Sequence, residues 1–222
     1  MSVKQKAYIF NLQELNKTFQ NDLLSEPINY MECLYSLART EAKHPSKAMF
    51  SALEHLRYDE EWFDLSAPDI SRESDWFLVF LTSKFSIAPD LSSSQPYSYA
   101  ILGRVLELLG WEQDKIDWLI KGRDLKSLVS KLCHSSFFSE FTFSHYAAGW
   151  LDEEDISMLY TELLSLKEIF FEPSKQLLDA SIDFSETFFL KPGEVIRKSY
   201  IEAEAMLLFA LQSNSSLFII FD

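Results

Sequence analysis

The chain has 222 residues, and a chain of that length buries roughly 70 % of the surface its unfolded form exposes. A core of this size needs no staples, so the two cysteines, Cys33 and Cys133, have no scaffold to hold and fit a reducing compartment. A net charge of −14 repels phosphate backbones and anionic membrane surfaces, which argues against nucleic acid as a partner and leaves the acidity either as a solubility device or as a face for a basic protein.

In chain order, residues 7–10 are short, aromatic and β-branched, and predict a strand followed by a short helix over 12–20. The opening residues lack the long apolar stretch of a secretory signal, so a cytoplasmic location is expected. Residues 28–43 repeat apolar positions at helical spacing (Ile28, Met31, Leu34, Tyr35, Ala38). Pro45 opens a further helix with Met49, Ala52, Leu53 and Leu56 inward and an acidic end at Asp59, Glu60, Glu61 and Asp64. The run 76–81 is a buried strand or helix, which periodicity does not decide, and 83–96, with two prolines and three consecutive serines, is a loop.

Residues 97–109 predict a helix closed by Gly110, and 112–121 a second closed by Gly122. Asp124 is placed to cap a third, with Leu125, Leu128, Val129 and Leu132 as its stripe. Asp152 caps a long helix, with Asp155 in a capping-box-like position and Ile156, Leu159, Tyr160, Leu163 and Phe170 facing inward until Pro173 stops it. Pro192 opens the last helix, whose inner face is Val195, Ile196, Tyr200, Ala203, Leu207 and Leu211. The turn 214–216 then leads to a closing strand over 217–221. Strands this short are unstable alone, so the two terminal strands are expected to share one small sheet covered by helices. The fold class is therefore α+β, predominantly helical, and residues 1–222 read as a single domain. No apolar run reaches the ~18–20 residues of a membrane helix, so no membrane association is expected.

Chemical motifs are scarce. The five glycines lie at 103, 110, 122, 149 and 193, too far apart for a phosphate-cradling loop, a dinucleotide fingerprint or a nucleophile elbow. Cys133 and His134 are adjacent, so on a helix they point about 100° apart, and no zinc or EF-hand spacing occurs; neither a metal nor a cofactor is expected. The acidic clusters at 59–64 and 152–155 are accounted for by a solvated helix end and by capping with the helix dipole.

The most unusual stretch is 137–150, which holds Phe137, Phe138, Phe141, Phe143, Tyr146 and Trp150 with His145 and shows little helical pattern. It either packs over the core as a loop or strand, or lines a pocket or partner face, since aromatic residues favour interface cores. In the second case Phe143, His145, Tyr146 and Trp150 are the binding residues, and no residue is assigned as catalytic.

The segments 8–12, 75–82 and 99–103, with the closing helix and strand, resemble the YfbM-like bacterial domains of unknown function. The turn into a helix at 149–154 is similar to related uncharacterised families. The resemblance covers about a third of the chain, and residues 28–64 have no counterpart in it. It implies a bacterial, cytoplasmic α+β domain and carries over no catalytic residue.

The leading functional reading is a non-catalytic interaction protein, of immunity or antitoxin type, facing a basic protein partner. The competing reading is a small-molecule binder or hydrolase with a site near His145 and neighbouring carboxylates. A third has the protein supporting a larger assembly. Oligomeric state is left open.

Overall fold

The structure is a computed structural model, and it describes residues 5–21, 98–131, 148–182 and 190–221. The expected helices at 28–43 and after Pro45, the run 76–81 and the loop 83–96 lie outside the described residues. In chain order the described elements are β1 (Gln5–Phe10), α1 (Leu12–Asn21), α2 (Ser98–Leu108), α3 (Gln113–Lys121), α4 (Leu125–Lys131) and β2 (Ala148–Leu151). There follow α5 (Glu153–Ser165), α6 (Lys167–Phe171), α7 (Lys175–Ala180), α8 (Pro192–Gln212) and β3 (Ser216–Phe221). Helices predominate, and the three strands form one sheet in the order β1-β3-β2. The terminal strands are neighbours in it, as expected. β2 lies at the end of the aromatic stretch, for which a strand over the core is one of the readings, and joins the other edge of β3.

The chain groups into two compact units. Unit 1 comprises Met1–Ala7, Asp90–Arg123 and Trp150–Asp222. All three strands are represented in it: the start of β1, Trp150 and Leu151 of β2, and the whole of β3. Its organising element is α8, which packs against α2, α5, α6 and α7, while α3 and α5 reach β3. The reason lies in the spacing. Val195, Ile196, Ser199, Tyr200, Ala203, Met206, Leu207 and Ala210 are all buried and fall on one side of the helix. Leu211, expected inward, is half-buried. On β3 the consecutive residues Leu217, Phe218 and Ile219 are all buried. Successive strand residues point to opposite faces, so both faces of β3 are covered.

The helix ends follow local chemistry. After α2, the N–H of Trp111 donates to Leu106 O (3.1 Å) and that of Gly110 to Glu107 O (3.0 Å), with Gly110 at φ 81°. This is the paired terminal motif that a left-handed residue makes possible. Asn214 does the same after α8, at φ 45°: Ser215 N–H donates to Ala210 O and Asn214 N–H to Leu211 O, both at 3.1 Å. Asparagine tolerates this conformation better than other non-glycine residues, and the resulting turn delivers the chain directly into β3. Gly103 has another role: a Cβ there would stand 2.7 Å from Ile120 Cδ1, so the missing side chain lets α2 and α3 close on each other.

One expected element is divided. The helix begun at Asp152 does not run to Pro173; it breaks at Leu166 into α5 and α6. Ser165 Oγ donates to Glu162 O at 2.6 Å, and Leu166 N–H turns to Leu163 O at 3.0 Å instead of the carbonyl four residues back. A serine hydroxyl competing for a helix carbonyl bends or ends the helix. The inward face is otherwise as expected, with Ile156, Leu159, Leu163 and Phe170 buried and Tyr160 half-buried. Pro173 separates α6 from α7, which Ser174 caps by accepting from Leu177 N–H.

Unit 2 comprises Tyr8–Pro89 and Asp124–Gly149. Within its described residues, Asn11 Oδ1 caps α1 by accepting from the N–H groups of Gln13 (2.9 Å) and Glu14 (3.2 Å). Asn16 Nδ2 donates to Lys131 O at 3.2 Å, which ties α1 to the end of α4. Leu125 and Leu128 are buried, as the stripe on α4 predicts. α4 begins at Leu125, directly after Asp124.

Candidate functional site

Of the four binding residues expected from the sequence, Phe143, His145 and Tyr146 lie outside the described residues. Trp150 is described. It sits on β2 with 1 % of its surface exposed, so its indole fills the core.

The backbone of Trp150 leads to a polar contact that the sequence reading missed. Trp150 O accepts from Arg123 N–H at 2.7 Å, and Trp150 N–H donates to Arg123 O at 3.1 Å. The two residues form an isolated antiparallel bridge. Arg123 reaches this place because Gly122, at φ 77°, ends α3 and donates its N–H to Trp118 O at 2.8 Å. From there the Arg123 guanidinium lies over the Trp118 ring, 4.1 Å from its centroid, and Nη2 meets Asp155 Oδ1 at 2.5 Å. Asp155 is delivered by the first turn of α5, where Asp152 Oδ1 accepts the Asp155 N–H at 2.9 Å.

The contact joins unequal environments. The Asp155 side chain is 5 % exposed and that of Arg123 is 37 % exposed. Burial pushes the Asp155 carboxyl above its ordinary value, and the charge of Asp152 adds to the rise. The Arg123 charge, its hydrogen bond and the Asp152 backbone oppose the rise without cancelling it. The fork is also only half engaged: Arg123 Nε and Asp155 Oδ2 are both buried and without a hydrogen-bond partner. A full bidentate pair would use both atoms.

A second feature of unit 1 is an open groove of about 800 Å³ lined by residues of α2, α3 and α7, among them Tyr99, Gln113 and Asp179. Its charges are largely engaged with one another. Arg104 pairs with Glu107 at 2.6 Å, Lys121 with Asp117 at 3.8 Å, and Gln113 donates to Asp117 at 3.2 Å. Nearby, Lys115 bridges α3 to α5 through Glu162 at 2.9 Å. Among the described residues no group of His, Cys, Asp and Glu is placed to hold a metal ion, and no helix is long and apolar enough to cross a membrane.

The signal that could have located Arg123 is the helix-ending Gly122, which fixes the next residue at the margin of the core. Its partner 32 residues away has no local signature. Comparison of the chain with known protein families, with characterised proteins and with solved structures found no match.

Proposed function

We propose that this is a bacterial, cytoplasmic protein that acts by non-catalytic association with a basic protein, as immunity and antitoxin proteins do. The observation that carries the reading is the charge of −14, together with the way unit 1 uses its cations. Arg104, Lys115, Lys121, Arg123 and Lys167 all meet carboxylates of the same unit. Glu112, Asp114, Glu153, Glu154, Glu168 and Glu172 are exposed, so the net field at the surface is negative. Such a field steers association with a cationic surface and opposes self-association. The competing reading centres its site on His145, which lies outside the described residues.

The test is affinity capture with the full-length chain, followed by titration of the purified partner at low and high salt. The expected result is a basic partner whose affinity falls as salt rises, because screening shortens the reach of surface charge. Recovery of no partner from a chain that is monomeric in solution overturns the reading. A partner whose binding is indifferent to salt overturns its electrostatic basis.

A further inference from the structure

Two of the boundaries of unit 1 fall at Arg123 and Trp150: the chain, having left the unit after Ala7 and re-entered at Asp90, leaves it again after Arg123 and re-enters at Trp150. These are the same two residues that share the isolated backbone bridge. The exit and the return of a 26-residue excursion, Asp124–Gly149, are therefore joined at their base by two hydrogen bonds.

The two sides of this junction are anchored unequally. Trp150 is buried and lies on β2, whose neighbour in the sheet is β3. Arg123 belongs to no strand or helix. Beyond the two backbone bonds, its attachments are the stack on Trp118 and one contact with Asp155. That contact is half engaged, with Nε and Oδ2 unused. Burial disfavours the ionised form of its carboxylate, so the pair adds little to global stability and serves chiefly to hold position. Detaching Arg123 breaks two backbone bonds, one ion pair and the stack on Trp118, and draws on none of the apolar burial along α8. Local opening of this kind lies well below the free energy of global unfolding.

We propose that Arg123 is the movable half of a latch, which detaches from β2 and rebinds while β2 stays in the sheet, so that the second of the two points where the chain leaves unit 1 opens as a local event. The latch has a built-in reference. Along an edge strand, successive N–H groups point to opposite sides. The Trp150 N–H points to Arg123, so that of Leu151 points toward β3.

Native-state amide hydrogen exchange on the full-length chain tests this directly. In the wild type, the Trp150 amide is expected to exchange at least about tenfold faster than the Leu151 and Leu207 amides after correction for intrinsic rates. Arg123→Ala is expected to accelerate Trp150 about tenfold more than Leu151 and Leu207, whose acceleration follows the loss of global stability alone. Asp155→Asn, which removes the charge that holds the guanidinium, is expected to act in the same direction and less strongly. If Trp150, Leu151 and Leu207 exchange at one common rate, the junction opens only with the whole unit and the proposal is wrong. It is equally wrong if Arg123→Ala accelerates all three in proportion, or leaves Trp150 unchanged. Should Arg123→Ala not fold, Arg123→Lys retains the charge but not the planar stack or Nε. It must then show selective acceleration of Trp150 for the latch to stand.

Discussion

The inner face of α8 and the Arg123–Asp155 contact are both withdrawn from water in unit 1, but different forces keep them closed. On α8, Ile196, Tyr200, Leu207 and Ala210 have no exposed surface, and Tyr200 packs its ring on Phe170 at 5.0 Å and Phe171 at 5.9 Å. Apolar burial is non-directional and improves with every atom added, so this region carries the stability. The polar contact must offset the cost of taking a carboxylate from water, and does so only in part, through one hydrogen bond to a partly exposed guanidinium. It contributes position more than free energy.

That contrast can be broken by substitution. The largest effect is expected on the apolar side: Leu207→Ala should cost about 2–5 kcal/mol and shift all probes of unit 1 together, read by denaturant titration with fluorescence and circular dichroism. Next comes Arg123→Ala, which strands the buried Asp155. Breaking a buried pair costs about 3–5 kcal/mol, but the guanidinium is 37 % exposed, so about 1–3 kcal/mol is expected. A loss equal to that of Leu207→Ala would mean that the polar contact is as structural as the core.

Gly110→Ala separates backbone from packing, because no atom lies within 4 Å of the added Cβ and only the positive φ resists it. About 1–2 kcal/mol is expected, measured by the same titration. Asp155→Asn should cost less than Arg123→Ala at neutral pH, since it removes the desolvated charge and leaves an arginine that water can reach. The difference between wild type and this variant should depend on pH with a definite sign. The Asp155 carboxyl is raised when folded above the 3.8 of an ordinary aspartate. The folded protein therefore takes up the proton first as pH falls, and wild type gains on the variant until the pH is below that ordinary value. Denaturation midpoints at neutral and acid pH check this; a difference independent of pH would show that Asp155 titrates normally. Smallest of all is Glu107→Gln, whose exposed pair with Arg104 should be worth no more than about 0.5 kcal/mol by thermal melt.

The same division governs what could be read from residue order. The stripes on α5 and α8 stand where their spacing placed them, because helical periodicity is a property of neighbours three and four apart. So do the stops at Gly110 and Gly122 and the cap at Asp152, each a matter of one residue's backbone freedom or side chain. The break at Leu166 was missed, although Ser165 stands beside it, because serine bends a helix only where its hydroxyl finds the carbonyl. The stretch holding Trp150 reads either as packing over the core or, with Phe143, His145 and Tyr146, as a binding face; for Trp150 the fold selects the core.

Sequence alone determined that this chain forms amphipathic helices with defined ends and short apolar strands at either end, since each of those features rests on local stereochemistry and on the partition of side chains between water and hydrocarbon. Only the tertiary structure decided that β3 lies between β1 and β2, that Arg123 faces Asp155 across 32 positions, and that Arg123 and Trp150, one exit from unit 1 and the return to it, are paired. Contacts between distant residues are selected by the packing of whole elements, and the residues that make them carry no local mark of their partners.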